Sequence, residues 1–161
     1  MLRHIKILLA ATVAAFLLLG AFFNVIDWGG TTGAVAMTTS MTTFEGREIA
    51  FQATTSPVLM WLGSLFILSL KIISGGLCAI GVLKMWKACK ADAASFTTAK
   101  AMALSGCGLA IFMLFAGWIV IAETWYEMWR SDVMRGPVLE TAFRYAGFIG
   151  LIALFVATPD E

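Results

Sequence analysis

The chain has one histidine, His4, and three cysteines, Cys78, Cys89 and Cys107, none of them in a Cys-x-x-Cys pair. A disulfide framework and a zinc site both need regularly spaced ligands, so neither is expected. A haem held by two axial histidines cannot be built within one copy. No paired-carboxylate site, nucleophile with a histidine base or glycine-rich phosphate cradle can be assembled, since Gly75-Gly76 falls inside an apolar run. The expectation is a non-enzymatic chain without cofactor or metal. Charge is also scarce: 13% of residues are charged and 60% hydrophobic, against roughly 25% and 45–50% in an ordinary soluble domain. The formal net charge is +1, which gives no bulk electrostatic case for binding nucleic acid.

What fills the chain instead is long apolar sequence. A helix that crosses the roughly 30 Å hydrocarbon core needs about 20 mostly apolar residues. Four segments qualify, at about 7–23, 57–83, 101–122 and 137–157. They leave outer loops at 24–56 and 123–136 and an inner loop at 84–100. The expected fold is an all-α membrane protein, a single domain over 1–161 in which four transmembrane helices form an antiparallel bundle. Ser56-Pro57 suits a helix start, because serine can cap free amides and proline at the first position loses no useful donor. Gly136-Pro137 marks the fourth start in the same way, and Thr158-Pro159-Asp160-Glu161 ends the chain close to the membrane surface. The first span is not read as a cleaved signal, because Ala34-Val35-Ala36 lies too far beyond the apolar run and follows polar sequence.

Short loops rich in lysine and arginine stay cytoplasmic. Arg3, Lys6, Lys84, Lys87, Lys90 and Lys100 fall on one side, and only Arg47, Arg130 and Arg135 on the other. Both termini are therefore expected in the cytoplasm. Trp28, Trp61, Trp125, Tyr126 and Trp129 form an outer aromatic belt and Trp86 an inner one, while Trp118 is deeper and reads as a packed core residue. Helices in lipid associate through small residues. The second span offers Ser74, Gly75 and Cys78, the third Ser105, Gly106, Gly108 and Gly117, the fourth Ala142, Ala146 and Gly150.

The first outer loop is expected to carry local structure, with Phe44 to Phe51 as an interfacial turn or short helix that mixes Phe44, Ile49 and Phe51 with Glu45, Arg47 and Glu48. In the second, Glu123-Thr124-Trp125-Tyr126-Glu127-Met128-Trp129-Arg130 can extend the third helix beyond the membrane, with Glu123, Glu127 and Arg130 on adjacent turns. Lys71 is the most informative charge, because it lies near the middle of the second span and no other span has a carboxylate at that depth. Three readings stand: a proton or solute path, a pair with an acid on a partner subunit, or a lysine held neutral or snorkelling, with Ser69, Ser74 and main-chain carbonyls sharing the burden. Glu140 and Arg144 can pair across one helical turn. Cys78 and Cys107 fall at similar heights on antiparallel helices, where buried thiols serve as small apolar packers.

Ordered motifs then carry a resemblance over nearly the full length. Phe23-Asn24-Val25-Ile26-Asp27 follows the first span, Ser40-Met41-Thr42-Thr43-Phe44 lies in the loop, and Trp118-Ile119-Val120-Ile121 leads to Glu123-Thr124-Trp125-Tyr126-Glu127-Met128-Trp129. Ala142-Phe143-Arg144 sits near the fourth start. With these the chain resembles a bacterial family of predicted small integral membrane proteins (domain of unknown function two-one-six-five). The resemblance implies four spans and a bacterial inner membrane, and it brings no reaction, substrate or cofactor. Its motifs cluster at the outer face, so a recognition surface is expected around Asn24, Asp27, Glu123, Trp125, Glu127, Trp129, Glu140 and Arg144, with Lys71 as the intramembrane polar site. The expected role is an accessory or scaffold subunit that contacts the lipid bilayer and another membrane-protein subunit or a second copy. The alternative is a small oligomeric transporter or channel lined by Lys71 and the outer charges.

Overall fold

The computed structural model describes residues 1–47 and 49–160, and at Pro137 the backbone alone. Glu48 of the charged loop motif and Glu161 of the terminal motif lie outside the described residues. The protein is all-helical, and four helical runs are long and apolar enough to cross a membrane: Leu2–Ile26, Pro57–Lys87, Ala93–Trp125 and Asp132–Ala157.

The first run is α1, Leu2–Ile26, followed by α2, Trp28–Ser40, in the expected loop. Asp27 makes the joint: its amide closes α1 on the Phe23 carbonyl at 2.9 Å, and its carboxylate accepts the Gly30 amide at 2.9 Å to cap α2. The second run is α3, Pro57–Lys87, with proline in its first turn as expected. Ser56 occupies the cap position, but its side chain makes no capping bond. α4, Ala93–Ala99, and α5, Ala101–Leu114, bring the third run in earlier than the sequence suggests, because Asp92 caps α4 through the Ser95 amide at 2.9 Å. α5 then widens into a π-helix, π1, Phe115–Trp125. The fourth run starts at α6, Asp132–Met134, capped by Ser131, and passes through a second π stretch, π2, Arg135–Glu140, into α7, Thr141–Ala157. Gly136-Pro137 therefore lies inside the helical run and does not open it. Proline has no amide to donate four residues back, and the wider π winding carries the chain past it. At both π stretches a threonine hydroxyl donates five residues back, Thr124 to Ile119 at 2.9 Å and Thr141 to Gly136 at 3.1 Å.

The contacts run up-down-up-down. Leu17 and Leu18 of α1 meet Gly75 while Gly20 meets Lys71, and Cys78 meets Gly106 while Gly81 meets Ala103, so α3 runs antiparallel to both α1 and α5. α7 packs against α5 and α1, with Phe16 and Tyr145 edge to face at 4.7 Å. The closest approach is at Gly81, where an added Cβ would lie 2.3 Å from the Ala103 amide nitrogen. Gly106 is nearly as tight, since its Cβ would meet the Cys78 sulfur at 2.6 Å. Cys78 and Cys107 do touch, at 4.0 Å between sulfurs, as free thiols buried in the core with Leu17, Ala110 and Met113. Ser64 and Ser69 return their hydroxyls to Met60 and Leu65 of their own helix, at 2.8 and 2.6 Å, which satisfies them where no water is present.

Both chain termini lie at one end of the bundle, and the side chains there close it. Lys6, with no exposed surface, donates to the Thr158 carbonyl at 2.7 Å and to Asp160 at 2.9 Å. Lys100 donates to the same Thr158 carbonyl at 2.8 Å and pairs with the other Asp160 oxygen. Burial pushes the Asp160 carboxyl up, but the hydrogen bonds from Lys100 and Lys6 outweigh it and hold the group below its ordinary range. Two ammonium groups thus converge on one carboxylate and on the carbonyl end of the fourth run, where cations are favoured. Asp160→Asn leaves both lysines uncompensated in a buried site, at a cost of roughly 3–5 kcal/mol. Thermal unfolding in mild detergent should show a drop of several degrees for this variant, and an unchanged midpoint would mean that the lysines reach water.

Candidate functional site

The end away from the termini, here the loop end, is built from α2, the segment from Met41 to Ser56, the last turn of π1 and the residues up to π2. π1 stops at Trp125, and the chain reverses at Glu127, which takes a left-handed conformation (φ 51°) before a short 3-10 turn at Met128–Arg130. The third helix does not continue through Arg130, so Glu123, Glu127 and Arg130 are not stacked on adjacent turns. Glu123 is half-buried without an ion pair among the described residues, while Glu127 is turned toward the first loop. There Arg47 grips it with two hydrogen bonds, Nε to Oε2 at 3.1 Å and Nη2 to Oε1, and Arg130 adds a third at 3.0 Å. The arginines, Arg47 first, hold the Glu127 carboxyl below the ordinary carboxylate range, and Glu127 in turn raises Arg47.

Under this tie lies a small core of Met41, Ala122, Tyr126, Met128, Met134 and Leu139. Arg130 also covers the Phe44 ring at 5.3 Å. Residues 42–46, 49 and 50 form turns and bends, the first of the two expected forms and not the short helix. Gln52 donates to the Trp125 carbonyl at 3.5 Å, and Phe51 meets the Trp125 ring edge to face at 5.8 Å. Above the core, Ile49 is 93% and Phe51 89% exposed, beside the half-exposed rings of Trp125 and Trp129.

The sequence-predicted residues divide into separate groups. Trp125, Glu127 and Trp129 share this face. Asn24 and Lys71 come together elsewhere: the Lys71 ammonium donates to the Asn24 side-chain oxygen at 2.8 Å. Helical side chains lean toward the helix N-terminus, which for α3 is the loop end. Lys71 lies along the groove that Gly20 leaves open in α1, 3.4 Å from where a Cβ would stand, and reaches Asn24 one turn further on. It is a snorkelling lysine with a neutral acceptor inside its own chain. Ser69 and Ser74 are spent on the carbonyls of Leu65 and Leu70 and do not assist it. Asp27 serves as the α1–α2 joint described above. Glu140 and Arg144 do not pair; Arg144 lies over the Tyr145 ring at 5.4 Å, and Glu140 is exposed.

Two contacts had no signal in the sequence pattern. Arg47–Glu127 spans 80 positions, and His4 at the termini end comes within 3.5 Å of the Cys89 sulfur, with Trp86 edge-on to the imidazole at 6.2 Å. Among the described residues no group of three histidine, cysteine or carboxylate side chains could hold a metal ion.

Four long apolar helices with ion pairs at the two ends define a small helical integral membrane protein. The chain belongs to the family described as Predicted small integral membrane protein (DUF2165), which it matches over residues 2–159. No curated protein and no solved structure matches it.

Two outcomes follow from these contacts. Asn24→Leu strands the ammonium and should cost about 1–3 kcal/mol, the usual penalty for an unsatisfied buried group. Lys71→Met leaves only an amide near the boundary, so it should cost less; thermal unfolding that ranks the two in reverse order would contradict the snorkelling geometry. For Glu127, a folded pKa below the unfolded value means that its tie is fully present above the ordinary carboxylate pKa of about 4.3. The tie is lost as pH falls through the lower folded value. Glu127→Gln at neutral pH should reproduce that loss, seen as faster amide exchange at residues 42–55 and unchanged exchange in α3.

Proposed function

We propose that this protein is a non-enzymatic accessory subunit of the bacterial inner membrane, with both termini cytoplasmic, whose loop-end face docks on another integral membrane protein. The observation that carries this reading is the exposure of Ile49 and Phe51 on a segment pinned by Arg47 to Glu127. Bulky apolar side chains held out on an ordered support, with aromatic neighbours and charges at the rim, have the make-up of an interface centre. The orientation rests on the six basic residues at the termini end against three at the loop end, two of which are engaged by Glu127. The transporter reading draws less support. Lys71 is occupied by Asn24, and the interior toward the termini end is filled by Leu17, Cys78, Cys107 and Met113.

Affinity purification at native expression in mild detergent tests the role. The wild type should retain a membrane-protein partner that the folded double variant Ile49→Ser, Phe51→Ser loses. Wild type recovered alone, or a partner retained by the double variant, would overturn the docking face.

A further inference from the structure

A cavity of about 240 Å³ lies between α2, α3 and π1 on the lipid side of the loop-end core. Two glycines stand in its walls, Gly63 on α3 and Gly117 on π1. Gly63 lets Val35 come close, and Gly117 in π1 leaves only the Phe66 ring opposite, 3.5 Å from where its Cβ would be. The lining residues at the rim, Leu59, Leu62 and Ile121, are exposed and apolar, so the mouth opens to hydrocarbon.

A buried water needs two to four polar partners. Here the Thr38 and Thr39 hydroxyls are turned back to the Ala34 and Ala36 carbonyls at 3.0 and 3.4 Å. The remaining polar groups are the Trp118 indole and the Tyr126 hydroxyl, neither with a partner among the described residues. Those two groups could hold a single water, while the rest of the lining is apolar and open to lipid, and an empty apolar void forfeits the contacts that packed neighbours would supply.

The depth identifies the occupant. Trp125 and Trp61 belong to the aromatic belt at the headgroup level, next to Tyr126 and Leu62. From Trp125, π1 descends eight residues to Gly117, about 10 Å into the hydrocarbon at helical rise. We propose that this cavity is a binding site for one acyl chain of a bilayer phospholipid, entering beside Tyr126 and ending against Gly117 and Phe66. The ester carbonyl at the head of that chain lies at the level of the Tyr126 hydroxyl, which is a free donor. This site is independent of the partner-docking face.

The test uses the full chain in nanodiscs of phosphatidylethanolamine and phosphatidylglycerol, with a phosphatidylglycerol that carries a photoactivatable group on its acyl chain. In the wild type, adducts should concentrate on Val35, Phe66 and Trp118 several-fold over the lipid-facing Leu151 and Leu154 of α7. Gly117→Leu fills the cavity from one wall and Val35→Phe from the other. Each should remove the cavity adducts and leave those on α7 unchanged. If only one variant folds, that variant decides, and if neither does, the wild-type ratio decides. Equal adduct density at the cavity and on α7 would mean annular lipid only and would overturn the site, as would cavity adducts that persist in a folded variant.

Discussion

The constraint on which this structure rests is that hydrocarbon supplies no hydrogen bonds, so the backbone groups and the charges within the spans must be satisfied by the chain itself. The helices answer it for the backbone, and the serines of α3 answer it locally through carbonyls of their own helix. Lysines cannot be settled so cheaply. Lys71 runs along a groove made by Gly20 to reach Asn24, and Lys6 and Lys100 converge on Asp160 and the Thr158 carbonyl. Each solution moves charge toward an end of the bundle, and the middle is left to small residues and thiols. Close backbone approach at Gly81 and Gly106 then supplies the packing that the hydrophobic effect does not provide between helices in lipid.

The two ends are consequently different in kind. At the termini end a buried carboxylate and two lysines close the bundle, with Arg3 donating to the carbonyls of Cys89 and Ala91 and lying over Phe96. At the loop end Glu127 ties two loops that have no common secondary structure, and apolar side chains stand outward from the tie. The first arrangement consumes its polar groups internally. The second presents a surface, and a cavity lies beside it between α2, α3 and π1.

Composition and apolar run length are local properties, and they sufficed for the all-helical class and four spans. Proline in the first turn of α3 and the Cys78–Cys107 contact were likewise legible, from local chemistry and from counting rise along antiparallel helices. The π stretches were not: π1 has ordinary helical composition, and in π2 Gly136-Pro137 reads as a boundary. A wide turn can pass a proline that an α-helix would not. Of the expected surface only Trp125, Glu127 and Trp129 share the loop-end face, and the pairing there was not legible. Arg47 and Glu127 are 80 positions apart, and Glu127 faces Arg47 only because the chain reverses there with positive φ. Asn24 was named beside Lys71 without being seen as its partner, since a search for a carboxylate overlooks a neutral acceptor reached by a lysine leaning along its helix.

The functional reading proposed above requires that the loop-end face meet a protein and not only lipid. Placing a photo-crosslinking amino acid at Phe51, with Phe148 on the exposed side of α7 as the control, tests it in intact cells at native expression. A discrete adduct with another integral membrane protein is expected from position 51 and none from position 148. Lipid adducts alone from both positions would contradict it.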